Sequence, residues 1–163
     1  MITGYDLYKK YGNPFTTYDE GKYMELWQVP KYIHKNIKYL PSRIYCNEEL
    51  PLMLEIAFLN LIDRGFADEL KSWDGCFMIR PIRGYEGVVK QFLNKGDIES
   101  AMVYMSIHSW GFGIDLNAFE NGLGKAPKLS DGFVKCFEDA GFEWGGKWKR
   151  KDGMHFQPDY LRE

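Results

Sequence analysis

Three side chains in this sequence have the chemistry of metal ligands and stand in dense segments. His108 lies in Ser106-Ile107-His108-Ser109-Trp110-Gly111, Asp115 in Gly113-Ile114-Asp115-Leu116-Asn117, and His155 in Asp152-Gly153-Met154-His155-Phe156. The chain has 3 histidines, and two of them are here. Zinc takes imidazole nitrogen and carboxylate oxygen at about 2.0–2.2 Å, and a catalytic zinc keeps three protein ligands with one position open to water. Two His and one Asp make such a set and bring one negative charge to the ion. Asp115 is flanked by Ile114 and Leu116, so strand alternation points it away from both apolar neighbours. Asp152, three residues before His155, has the type and placement of a general base acting on water beside the metal. Each residue also fits a plainer role. A His beside apolar residues is more often hydrogen-bonded structure, and an Asp between Ile and Leu is more often a paired buried carboxylate. His–x6–Asp alone is not a tight motif.

Composition narrows the class. The chain has 163 residues, with 21 Lys+Arg against 23 Asp+Glu and a net charge of -2. That balance argues against a general binder of nucleic-acid phosphates. The length suits one domain, and the 45% hydrophobic content excludes extensive disorder. No apolar run approaches the roughly 20 residues that span a bilayer. Cys46, Cys76 and Cys136 cannot all pair with one another and form no CxxC, so they read as buried or half-buried thiols of a reduced compartment. The amino terminus lacks the pattern of a secretory signal. The expectation is cytoplasmic synthesis of a monomer, without membrane insertion and with no nucleic-acid partner.

The chain around these residues carries the signals of short helices and strands. Residues 1–45, punctuated by Pro14, Pro30 and Pro41, read as an extended amino-terminal arm with short turns, packed on a single domain spanning 1–163. Asn47 as cap, Pro51 in a first turn, and Leu54, Ala57, Phe58, Leu61 and Ile62 at helical spacing predict a buried helix over 48–64, ended by Gly65. Cys76–Arg83 reads as a strand, placed at an edge or an end by Pro81. A weak helix is predicted around Val88–Leu93, a loop near Gly96, and a short buried strand over Phe112–Leu116. A helix capped by Ser130 carries Phe133, Val134 and Phe137 to Gly141, and Met154–Gln157 is a last short strand. Without regular βαβ alternation, the fold class is α+β with an antiparallel sheet.

The segment Ser106–Asp115 resembles the SxHxxGxAxD signature of zinc D,D-carboxypeptidases and L-alanyl-D-glutamate endopeptidases. That group includes phage endolysins and the D-Ala-D-Ala dipeptidases of vancomycin resistance. Gly141-Phe142-Glu143-Trp144-Gly145-Gly146-Lys147-Trp148, with Asp152-Gly153-Met154-His155-Phe156, resembles the group's second signature, GFxWGGxW…DxxHF. Asp74–Gly84 is similar to its upstream strand, and with Tyr45-Cys46-Asn47 the resemblance runs from about residue 24 to 160. Gly113 stands where the group usually has Ala. A small residue is kept, so little effect is expected. The stretch between Gly84 and Ser106 matches no motif.

The resemblance implies a small antiparallel sheet flanked by helices, in the fold shared with the hedgehog signalling domain. It implies zinc as cofactor, held by His108, Asp115 and His155, and Asp152 as catalytic base. An upstream Arg steadies the substrate, with Arg80 the first candidate and Arg83 the second. Arg keeps its charge and donates in a planar fork. The plainer role for either is a solvated charge at a strand edge. Ser106 and Trp148 are candidates for substrate contact, with a backbone bond for Ser106 and core or cleft-wall packing for Trp144 and Trp148 as alternatives. Trp110, beside a ligand, is a further aromatic candidate. Gly145-Gly146 reads as a tight turn behind the metal. The cluster Lys147, Lys149, Arg150 and Lys151 either attracts an anionic polymer or is simply solvated. The implied function is hydrolysis of peptidoglycan stem peptides, of the D-Ala-D-Ala carboxypeptidase or L-Ala-D-Glu endopeptidase type, in phage or prophage cell-wall lysis. The alternative is a non-catalytic zinc-stabilised binding or structural module of the same fold.

Overall fold

Helix α1 (Gly4–Tyr11) begins in a reciprocal cap: Thr3 Oγ1 accepts from the Asp6 amide at 3.3 Å, and Asp6 Oδ2 accepts from the Thr3 amide at 2.8 Å. The computed structural model describes residues 1–163. After α1 come α2 (Glu20–Tyr23), strand β1 (Met24–Gln28), α3 (Lys31–Asn36) and β2 (Arg43–Asn47). β1 and β2 pair antiparallel, with Met24 opposite Asn47 and Gln28 opposite Arg43. The first 45 residues are therefore three short helices and a two-stranded sheet, not the extended arm expected. The prolines lie between these elements, and Pro30 precedes the first turn of α3 as its cap residue. Leu7, Tyr11, Ile33, Ile37 and Ile44 are buried in the same apolar cluster as Phe137 and Phe156.

Helix α4 (Pro51–Arg64) starts later than expected, with Pro51 in its first turn, where no amide donor is needed. Asn47 is not its cap. It turns the chain instead, accepting from the Glu49 amide at 3.0 Å. Gly65 ends the helix in the left-handed conformation at φ 81°. Strand β3 (Trp73–Gly75) precedes the expected Cys76–Arg83 strand, of which only Pro81 bridges, to Met105. The reason is the partner. Residues 76–80 run beside a 3₁₀ turn (Ile107–Trp110), with Met78 N donating to His108 O at 3.1 Å and Ser106 N to Arg80 O at 3.0 Å. A turn cannot offer the regular ladder of a strand.

Helices α5 (Glu86–Asn94) and α6 (Ile98–Val103) fill the stretch without a motif. Then come β4 (Ile114–Leu116), α7 (Asp131–Glu138), β5 (Phe142–Trp144) and β6 (His155–Pro158). Ser130 caps α7 as predicted, its Oγ accepting from Phe133 N at 3.2 Å. A four-stranded antiparallel sheet has the order β3-β4-β6-β5. The architecture is α+β, small antiparallel sheets flanked by helices, as the sequence predicts. On one face of the larger sheet, Phe137 of α7 packs 4.5 Å from Phe156 and 5.7 Å from Phe142, ring centre to ring centre.

Candidate metal centre

Asp115 on β4 and His155 on β6 are register partners, so both side chains leave the sheet on the same face. Ile114 and Leu116 point the other way and are fully buried, which is the alternation expected for Asp115. His108 comes from the 3₁₀ turn just before β4. Ser106 Oγ caps that turn, accepting from His108 N at 3.4 Å.

The donor atoms converge. His108 Nε2 lies 3.2 Å from Asp115 Oδ2 and 3.2 Å from His155 Nδ1, and His155 Nδ1 lies 3.3 Å from Asp115 Oδ1. Tetrahedral bonds of ~2.0–2.1 Å separate ligand atoms by about 3.3–3.4 Å. The spacing thus fits one small ion held by all three. The outward nitrogens are occupied. His108 Nδ1 donates to Cys76 O at 2.7 Å, and His155 Nε2 donates to Gln157 Oε1 at 3.0 Å. Both imidazoles therefore turn a bare nitrogen inward when neutral. Two nitrogen lone pairs and a carboxylate in contact need a proton or a cation among them. The residues present fit a divalent metal such as zinc.

The electrostatics agree. Burial alone would raise the Asp115 carboxyl, but hydrogen bonds and charge from His108 and His155 outweigh it and hold it well below the ordinary range. His155 is pulled the opposite way. Burial lowers its affinity for a proton, and its bond to Asp115 more than restores it.

Beside the group opens a cavity of about 170 Å³ lined by His108, His155, Asp152, Arg80, Arg83 and Trp148. Asp152 Oδ1 is buried without any hydrogen-bond partner. Burial raises the pKa of this carboxyl and Asp115 adds to the rise, while His155, His108 and Arg80 act against it. The Asp152 main chain is fixed, its amide donating to Gly145 O at 3.0 Å and its carbonyl accepting from His155 N at 3.1 Å. Arg80 is half-buried, and its guanidinium meets only the Pro81 carbonyl, at 3.2 Å. No carboxylate pairs with Arg80 or Arg83. Burial lowers the Arg80 pKa, and the neighbouring charge of Arg83 lowers it further. Ser106 lines the cavity, although its hydroxyl oxygen is engaged by the His108 amide. Trp148 stands with its ring centre 5.2 Å from that of His155.

Other expectations change. Trp110 is fully buried, its Nε1 donating to Gly12 O at 2.9 Å, so it belongs to the core and not the cleft. Trp144 is held by Gly153 O at 2.8 Å and stacks on Phe156. Gly145 and Gly146 do form the expected tight turn, a 3₁₀ turn over Gly145–Lys147 closed by Trp148 N donating to Gly145 O at 3.1 Å, but without a left-handed residue. They are needed for room: a Cβ on Gly145 would meet Asp152 O at 2.5 Å, and one on Gly146 the Trp144 ring at 2.3 Å. Gly113 is not neutral either. A Cβ there would meet His155 Cε1 at 2.8 Å and His108 Nε2 at 2.9 Å, so the expected small effect of lacking Ala is replaced by a steric one. In the basic cluster, Lys147 pairs with Glu138, and Arg150 donates to Arg83 O at 2.6 Å.

Sequence reasoning missed two contributors. Gln157 sits two residues after His155 on β6, a spacing that places both on one face, so the sequence does carry the signal. The Cys76 carbonyl is a backbone atom and has no signature. The cavity wall also includes Ile2 and Gly4 from the amino-terminal segment, with Val103 and Met105 from the end of α6 and beyond.

Residues 100–158 match the family model described as D-alanyl-D-alanine carboxypeptidase. The family resemblance read from the sequence is borne out. The matched segment carries both signatures and is narrower than the 24–160 stretch, leaving Asp74–Gly84 and the first sheet outside. Members of this peptidase family are zinc-dependent, and the His–Asp–His group here has the donors for such an ion. No curated protein and no solved structure matches the chain. No helix is long and apolar enough to cross a membrane.

Proposed function

We propose that this chain is a zinc peptidase that hydrolyses peptide bonds in the stem peptides of peptidoglycan. The observation that carries the reading is that Asp152, with one carboxylate oxygen buried and unpartnered, lines the same cavity as His108 and His155 of the His–Asp–His group. His108, Asp115 and His155 would hold the zinc ion, which when bound would supply Lewis-acid polarisation of the scissile carbonyl and of a water. Asp152 accepts the proton of the attacking water as its oxygen bonds to the carbonyl carbon. It then delivers that proton to the leaving amine as the C–N bond breaks. Arg80, with Arg83 beside it, donates to the oxyanion or to a substrate carboxylate, since neither guanidinium has a carboxylate of its own. Trp148 walls the cleft.

The non-catalytic zinc module is the weaker reading, because such a module has no use for a buried carboxylate left without a partner, at a cost of roughly 1–3 kcal/mol or more. Asp152→Asn is the direct test. Zinc content should stay at the wild-type level while kcat/KM falls about 10²- to 10⁴-fold. In the metal-free protein the Asp152 carboxyl should titrate above the ordinary carboxylate range near ~4, because burial raises its pKa. Full activity in the variant would remove Asp152 from the reaction. Digestion of purified sacculi with and without a chelator, followed by mass analysis, identifies the bond: loss of a terminal D-Ala marks a carboxypeptidase, release of L-Ala from D-Glu an endopeptidase. A lysis role of phage or prophage origin extends the same reading. It requires that the protein clear sacculi outright, which trimming of terminal D-Ala alone would not do.

A further inference from the structure

The hydrogen bonds around His155 continue away from the metal position. Gln157 Oε1 accepts from His155 Nε2 at 3.0 Å. The Gln157 amide nitrogen donates to the Ile2 carbonyl at 3.0 Å and to Glu143 Oε1 at 2.7 Å. Gln157 and Glu143 are register partners on β6 and β5, as Asp115 and His155 are on β4 and β6. Four polar side chains thus cross three strands on one face. The arrangement fixes which way the Gln157 amide points. A carbonyl and a carboxylate can only accept, so both require the NH₂ end. The carbonyl end is left for His155, which must donate there through Nε2–H. Its other nitrogen, Nδ1, then carries the lone pair that faces His108 and Asp115.

We propose that Gln157 is a positioning residue of the metal site, holding His155 in the tautomer and ring orientation that offer Nδ1 to the ion, and that the Ile2 carbonyl and Glu143 hold Gln157 in turn. The inference rests on the zinc reading of the three ligands, but adds a residue outside both signatures. It also gives the amino-terminal segment a part in the site. Gly4, two residues on, sits so close to α6 that a Cβ would meet the carbonyl oxygens of Met102 and Met105 at 2.5 Å. That contact seats Ile2 where its carbonyl reaches Gln157.

The test uses the full chain, zinc affinity by chelator competition, the visible spectrum of the cobalt-substituted protein, and the melting temperature of the metal-free protein. Gln157→Met keeps the length and removes every polar contact. It should lower zinc affinity about 10- to 100-fold and alter the cobalt bands. The paired change Gln157→Glu with Glu143→Gln restores an acceptor for His155 and a donor from position 143, but offers nothing to Ile2. It should recover most of the affinity and the wild-type cobalt spectrum. Wild-type affinity in Gln157→Met would overturn the proposal. So would loss in both variants that follows the fall in metal-free melting temperature, since that is a packing effect. A wild-type protein that binds no zinc would sink the function reading itself, a result distinct from either.

Discussion

The two faces of the four-stranded sheet are built for opposite purposes. One carries Asp115, His155, Gln157 and Glu143, joined by hydrogen bonds, with His155 and Gln157 lining the cavity. The other carries Ile114, Leu116, Phe142 and Phe156, all buried, with Phe137 of α7 against the two phenylalanines. Residues of the two faces alternate along the same short strands, so each strand serves both. On the polar face, two imidazole nitrogens and a carboxylate are held within 3.3 Å of one another with the outward nitrogens hydrogen-bonded, a set of donors that could hold a cation. That face spends stability to keep a site ready. The apolar face, by removing large side chains from water, supplies the free energy that holds it together. Changes on one face should therefore alter folding with little effect on metal affinity, and changes on the other the reverse.

The largest effect on folding is expected from Phe137→Ala. The ring is fully buried, and its centre lies 4.5 Å from that of Phe156 and 6.2 Å from that of Phe58, so it joins the sheet to α4. Truncation should cost about 3–5 kcal/mol in the denaturant unfolding of the metal-free protein. Zinc affinity measured on the folded protein should remain near wild type. A parallel loss of affinity would show that the two faces are one unit.

How much of this is legible in the sequence depends on whether the information lies in residue types or in backbone. His108, Asp115, His155 and Asp152 are legible because two signatures place them, and alternation gives the direction of Asp115. The Ser130 cap and the Gly65 stop are legible for the same reason: each is a side chain, or lack of one, with a defined local role. The Cys76 carbonyl that fixes His108 is not, because every residue has a carbonyl. Residues 76–80 look like a strand, yet they lie beside a turn, and pairing is a property of the partner. In the first 45 residues the prolines read as breaks and hide the elements, although the Thr3–Asp6 cap announces a helix. The tyrosines of this region brace the site from behind. Tyr11, Tyr18 and Tyr23 cluster, and Tyr18 OH donates to Trp110 O at 3.0 Å, steadying the turn that carries His108.

A smaller effect, now on the polar face, is expected from Gly113→Ala. The added methyl would press on both imidazoles, which the Cys76 carbonyl and Gln157 keep from turning aside. At contacts under 3.0 Å the rings would have to shift, and zinc affinity should drop about tenfold, or ~1.4 kcal/mol. The metal-free melting temperature should move little. Unchanged affinity would mean that the backbone at Gly113 yields instead.

The smallest expected effect returns to the apolar side. Ser130 Oγ accepts from the Phe133 amide at 3.2 Å and donates to Glu69 at 2.6 Å, while its own amide donates to the same carboxylate at 2.6 Å. It thereby starts α7 at the point from which Phe133 and Phe137 reach the core. Ser130→Ala leaves the Phe133 amide without its cap and removes one of the two bonds to Glu69. The cost should be about 1 kcal/mol, read as a lower unfolding midpoint with unchanged slope. No side chain of the metal group contacts Ser130, so zinc affinity should not change. If it did, the helix on the apolar face would be setting the spacing of the ligands through the strands, and the division between the faces would fail at its least disturbed point.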